Sequence, residues 1–274
     1  SPLFSGHNTS QARPMSSDAL IQISDVKHTF HTNAGPLPVL DGLDVEIEKG
    51  GFTAVVGPSG CGKSTLTRLI AGLLIPDEGD VILNGEKVRS PHSIVGMAFQ
   101  NPVLLEWRTI LDNVCLPLEI VPNDLTRKQR DERGYELLAM VGLEGFEDKK
   151  PSELSGGMRQ RVALCRALLL DPPMLLMDEP FGALDEIVRD HLNEQLLELL
   201  RKTGKTICFV THSIPEAVYL SNKIVVMSPR PGRVTDIIES DLPAERPLDI
   251  RESKRFLEIA QRVRTGLREG HSYD

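Results

Sequence analysis

The chain has 274 residues, 40% hydrophobic and 26% charged, which excludes the disordered and collagen-like classes and leaves length for one to two domains. Its 31 Lys and Arg against 39 Asp and Glu leave a net charge of −8, which argues against broad attraction to nucleic acid or anionic lipid. The apolar runs, such as 168–170 and 174–177, fall far short of the ~18 residues that span a bilayer.

The four cysteines, Cys61, Cys115, Cys165 and Cys208, contain no CxxC pair, which fits neither a zinc site nor a compact disulfide framework and points to a reducing cytoplasm. Residues 1–14 are polar, lack an apolar stretch of signal-peptide length and precede Met15. They read as a tag remnant or disordered extension, with the natural start at Met15.

From Leu20 onward, periodicity predicts short strands at 21–24, 45–48 and 53–56, a glycine-rich turn, and a helix over 63–74. Strands follow at 79–83 and 95–99, then a mostly helical middle of about 109–170 that contains 127–141. The strand at 174–177 precedes a helix over 184–202, with Leu184, Ile187, Val188, Leu192 and Leu196 on one stripe and Gly204 where a helix should stop. Further strands are expected at 207–211 and 223–227. Such alternation implies an α/β fold with a largely parallel sheet covered on both faces, the helical stretch of about 101–170 being inserted into a core that spans 20–240. Phe256, Ile259, Val263 and Leu267 lie at helical spacing after Pro247, which predicts a C-terminal amphipathic helix within 248–270.

Gly57-Pro58-Ser59-Gly60-Cys61-Gly62-Lys63-Ser64 fits GxxxxGK[ST] between a predicted strand and a predicted helix. Its glycines let the backbone turn N–H groups toward phosphate oxygens at a helix N-terminus; Lys63 would reach the β- and γ-phosphates and Ser64 would ligate Mg²⁺. Thr65 continues the same lining. The strand 174–177 ends in Asp178 and Glu179, which places two acids at the carboxyl edge of a parallel sheet, where α/β ligand crevices lie. Asp178 would hold the Mg²⁺ shell, and Glu179 would act as general base on the attacking water. Ser155 is a good N-cap, and Gly156 and Gly157 leave backbone donors bare, so 155–157 reads as a second anion-binding helix start.

The order of these motifs resembles an ATP-binding cassette (ABC) ATPase subunit over about 21–234. That resemblance implies a P-loop NTPase core with a mostly parallel sheet, an antiparallel β-subdomain and an inserted α-helical subdomain, with ATP and Mg²⁺ bound. It implies that Phe30 stacks on adenine, that Gln100 is the Q-loop glutamine serving both catalysis and the metal, and that Ser155, Gly156 and Gly157 match the LSGGQ segment. It also implies that Asp185 belongs to the D-loop and that His212 is the switch histidine at the γ-phosphate. Met158 departs from the family's Gln. From the residues alone, Phe30 is equally a core aromatic, Gln100 a strand cap and His212 a hydrogen-bonded structural histidine.

The resemblance further implies a head-to-tail homodimer, with Ser155 to Gly157 of one subunit closing over the nucleotide at Lys63 of the other. It implies docking of integral membrane permease subunits near 100–109, where the single Trp, Trp107, lies among apolar residues. Two stretches, 105–109 and 228–233, resemble the nitrate/sulfonate/taurine-type importers. These use a separate periplasmic or extracellular substrate-binding protein, an ATPase peripheral to the cytoplasmic face of the membrane, and no nucleic acid. The alternatives are a soluble ABC ATPase of a cytosolic assembly machine and a nucleotide switch without turnover; the acidic pair with His212 argues against the latter.

Overall fold

The structure, a computed structural model, describes residues 18–270, except the side chain of Leu200; segment 1–14, Met15 and the last four residues lie outside them. Strands β1 (Ala19–Thr32) and β2 (Gly35–Glu48) form an antiparallel hairpin, which β4 (Glu78–Leu83) and β5 (Glu86–Lys87) extend into a four-stranded antiparallel sheet of order β2-β1-β4-β5. The second sheet has the order β10-β9-β3-β8-β7-β6. It is built from β3 (Phe52–Val56), β6 (Val95–Ala98), β7 (Met174–Asp178), β8 (Thr206–Thr211), β9 (Lys223–Met227) and β10 (Val234–Glu239). All of its pairings are parallel except that of β10 with β9.

Every residue of β3, β7 and β8 is buried, which is why these strands read as unbroken apolar runs rather than alternating ones. The period of two divides their side chains between two cores. Ala54, Val56, Leu175, Met177, Ile207 and Phe209 enter one, together with apolar residues of α2 (Ile110–Ile120), α3 (Arg127–Met140) and α4 (Gly156–Leu168). Val55, Leu176, Cys208 and Val210 enter the other, shared with α1 (Lys63–Ile70) and the antiparallel sheet. Helices α2 to α4 fall between β6 and β7 in the chain. Helix α5 (Glu186–Thr203) precedes β8, and α6 (Ile214–Leu220) links β8 to β9.

Four sequence expectations need correction, the first being that β1 and β2 run for 14 residues each where strands over 21–24 and 45–48 are expected. Helix α1 stops at Ile70 rather than at Leu74, because Gly72 takes φ +74° and a Cβ there would lie 2.2 Å from the Ser90 carbonyl oxygen. Ile187 is 84% exposed and leaves the stripe on which Leu184, Leu192 and Leu196 are buried. The C-terminal helix α7 begins only at Lys254, after a 3₁₀ turn over Leu248–Glu252 and a Ser253 cap. Its buried Phe256, Ile259 and Val263 join the first core, and Leu267 is half-buried against it.

The strand order places β3, β8, β7 and β6 side by side with their carboxyl ends at one edge. The loops leaving that edge carry residues 57–62, 212–213, 179–185 and 99–109.

Candidate functional site

The loop after β3 turns directly into α1 through Gly62, at φ +107°, where a Cβ would lie 2.6 Å from Leu40 Cδ2. Only glycine meets both demands. Gly57 is packed as tightly, its absent Cβ facing Cys61 Sγ at 2.7 Å, whereas Ser59 and Gly60 are exposed and Pro58 is half-buried. The first-turn N–H groups of α1, on Lys63, Ser64 and Thr65, have no acceptor within the helix. The Lys63 ammonium is buried and donates to the Gly57 and Pro58 carbonyls at 2.8 and 2.9 Å, which holds a positive charge under the loop. Cys61 fills the space beneath it, and burial raises its thiol pKa against the opposing pull of Lys63.

At the end of β7, Asp178 is buried beside Ser64. Desolvation raises its carboxyl pKa, the Ser64 hydroxyl hydrogen bond opposes the rise, and the charge of Glu179 adds to it. Its Oδ1 is buried with no hydrogen-bond partner among the described residues. An orphaned carboxylate oxygen next to a hydroxyl is a hard-oxygen set that fits Mg²⁺.

Glu179 has φ +47°, a left-handed conformation uncommon for a residue with a side chain, held by its N–H bonding the Val210 carbonyl at 2.8 Å and its carbonyl accepting from Gly182 N–H at 3.2 Å. That turn brings its carboxylate between two neighbours. Oε2 meets Gln100 Nε2 at 3.4 Å and His212 Nδ1 at 3.2 Å. Gln100 and His212 are exposed, and so face the open side of the edge.

Gln100, Glu179 and His212 are thus brought together at the sheet edge that also carries Asp178 and, from β3 on the far side of β8, the loop 57–62 with Ser64 and Thr65. The other predicted residues stand apart from this cluster. Ser155 Oγ accepts from Met158 N–H and caps α4, while Gly156 is exposed with open space where a Cβ would stand. Asp185 caps α5 through Val188 N–H at 3.0 Å. Phe30 is half-buried in β1, its ring edge-on to His28 at 4.8 Å. Residues that sequence reasoning passed over also serve the edge. Gln160 is buried and bonds the Gln100 carbonyl and the Ala183 N–H, and Asn113 bonds the loop 105–109. Neither carries a local motif that marks it in a single sequence.

A concavity of about 640 Å³ lined by residues of 75–89 shares no residue with this edge. Among the described residues no helix is long and apolar enough to cross a membrane.

A family model described as ABC transporter matches residues 40–182. The chain is 46% identical over 243 residues to the uncharacterized ABC transporter ATP-binding protein MJ0412 of Methanocaldococcus jannaschii, covering 89% of each. It is 44% identical to the aliphatic sulfonates import ATP-binding protein SsuB of Bacillus cereus, over 89% of this chain and 94% of that one. It is 43% identical to the taurine import ATP-binding protein TauB of Rhizobium johnstonii, over 82% and 87%. Among solved structures, the dimeric post-hydrolysis state of the ATP-binding cassette MJ0796 bound to ADP and Pi matches with a TM-score of 0.74 at 32% identity, covering 80% of this chain and 98% of that one.

Proposed function

The chain belongs to the ABC transporter family, as an ATP-hydrolysing, ATP-binding subunit, and from that premise we propose that it drives import of a small anionic or organic solute such as nitrate, a sulfonate or taurine. The carrying observation is the meeting of Gln100 and His212 on one oxygen of Glu179, next in the chain to Asp178, which is itself paired with Ser64 at the end of the loop that holds the buried Lys63.

In this reading the N–H groups of the loop and of the first turn of α1, with the ammonium of Lys63, receive the β- and γ-phosphates, Lys63 exchanging the Gly57 and Pro58 carbonyls for phosphate oxygens. Phe30 stacks on adenine. Ser64, Asp178 and Gln100 would hold Mg²⁺, which supplies neutralising charge at the β- and γ-oxygens when bound. Glu179 Oε2 is shared by its two neighbours, so Oε1 takes the proton of the attacking water as the oxygen attacks the γ-phosphorus and ADP leaves. His212 then faces the γ-phosphate from the next strand.

The edge is open on one side, where Ser59, Gly60 and His212 are exposed, and a phosphoryl transition state needs fixed donors on more than one side. A second copy, placed head to tail, supplies them from Ser155, Gly156 and Gly157, with Asp185 at the seam. Closing on ATP and reopening after hydrolysis then moves the permease subunits. These dock at 100–109, where Val103 and Trp107 are exposed, the latter at 72%. A substrate-binding protein delivers the solute, and the assembly places this chain peripherally on the cytoplasmic face of the membrane. Its similarity to SsuB and TauB supports the solute class.

Replacing Glu179 by Gln tests the assignment: nucleotide binding is expected to persist while turnover falls by at least about 100-fold, the scale of a lost general base. Normal turnover in that variant would remove Glu179 as the base.

A further inference from the structure

Gln160 sits in α4 just after the Ser155 to Gly157 turn and is 8% exposed. Both ends of its amide are used, and they go to segments on either side of Glu179. Nε2 donates to the Gln100 carbonyl at 3.4 Å, and Oε1 accepts from the Ala183 N–H at 3.2 Å. One partner is an acceptor and the other a donor, so together they fix which way round the amide lies. Gln100 passes the connection on through its own side chain to Glu179 Oε2. Ala183 lies at the far end of the turn that opens with Gly182 N–H on the Glu179 carbonyl. The same face of α4 meets this turn a second time, since a Cβ on Gly157 would stand 2.5 Å from Leu184 Cδ2.

We propose that Gln160 is a positioning residue for hydrolysis, a two-armed link that carries the placement of the Ser155 to Gly157 helix start to both flanks of Glu179 within one copy. The link rests on the reading of Glu179 as base and deepens it. In a head-to-tail pair, the helix start that meets the partner's nucleotide is tied through Gln160 to the base serving the chain's own nucleotide. A shift of α4 therefore moves Gln100 and the 179–184 turn together, and the carboxylate with them. Small displacements of a base relative to the attacked atom cost rate much more than they cost binding.

The test compares wild type, Gln160→Met, Gln160→Glu and Glu179→Gln as full chains, by steady-state ATP hydrolysis, equilibrium binding of a fluorescent ATP analogue and thermal melting. Gln160→Met keeps the length and loses both arms. Gln160→Glu keeps an acceptor for Ala183 and loses the donor to Gln100. Both are expected to lower kcat on the order of tenfold or more while nucleotide affinity stays within about twofold and melting, though lowered by the backbone groups left without a partner, stays cooperative and above the assay temperature. Wild-type kcat in either folded variant would overturn the link. So would a loss of kcat that only tracks a loss of affinity or of folded protein, since that is the mark of a merely structural residue. Full turnover in Glu179→Gln would instead bring down the assignment of the base and the link with it. Loss of turnover in Glu179→Gln with normal Gln160 variants would bring down the link alone.

Discussion

Cys61, Cys115, Cys165 and Cys208 are all free and buried, and the chemistry of each follows from that burial. Desolvation raises the Cys61 and Cys165 thiols and pushes those of Cys115 and Cys208 up to about 11 and about 12. Thiolate is the reactive form, so none of the four should react with a disulfide reagent in the folded chain at neutral pH, and all four should react after denaturation. A fast-reacting thiol under native conditions, mapped to Cys61, would contradict the space-filling role. The linkage has a definite sign. Below pH 9.0 the thiols are protonated folded and unfolded alike, whereas above it the unfolded chain ionises first. Their contribution to stability is therefore lost as pH rises from 9.0 toward about 11 for Cys115 and about 12 for Cys208. At this scale the glycine-rich loop between a strand and a helix, and the acidic pair at a strand end, were readable in the sequence because each is contiguous. The meeting of Gln100 and His212 on Glu179 was not, because it joins positions 79 and 33 residues distant from Glu179.

Asn113 shows how an element shapes the edge from behind. It is wholly buried in α2; its Oδ1 accepts from Leu105 N–H at 2.7 Å, and its Nδ2 donates to the carbonyls of Leu105, Arg108 and Thr109. One side chain thus fixes the loop that presents Trp107. Asn113→Ala should cost about 2–3 kcal/mol in denaturant unfolding, through backbone groups left without partners, and should raise hydrogen exchange over 105–109. Unchanged exchange there would show that the loop holds its shape by other means. Elements with steady periods were readable in the sequence, and those with interrupted periods were not. Strands β1 and β2 run for 14 residues each rather than four, and register shifts in β1, with Asp25 at φ 45°, break the alternation that marks a strand. Helix α6 has seven residues and owes its start to the Ser213 cap, too little for a helical period to register.

Across the whole molecule, the C-terminal segment is strapped to the ATPase core by Arg246. This buried guanidinium donates to the carbonyls of Val218, Tyr219, Ser221, Leu242 and Pro243, while the Tyr219 hydroxyl donates back to the Arg246 carbonyl. Arg251 adds an ion pair to Asp190 at 2.7 Å and lies over the Tyr219 ring. Arg246→Ala should lower unfolding stability by about 2–4 kcal/mol, the scale of several buried carbonyls losing a charged donor. A change within 0.5 kcal/mol, the range of ordinary surface substitutions, would show the strap to be incidental. Strand and helix alternation conveyed the α/β class, yet nothing in it conveyed this strap, which joins carbonyls whose identity no side-chain pattern records.

In the proposed function one polyphosphate would lie on the amides ahead of α1 and over Lys63, with its terminal phosphate facing Glu179. The most direct measurement is a crystal structure with Mg²⁺ and a non-hydrolysable ATP analogue. It should show the terminal phosphate within hydrogen-bond reach of Lys63 and His212, the cation against Ser64, and a second copy's Ser155 to Gly157 closing the open side. A nucleotide bound elsewhere, or one whose terminal phosphate lies out of reach of Lys63 and away from Glu179, would contradict it.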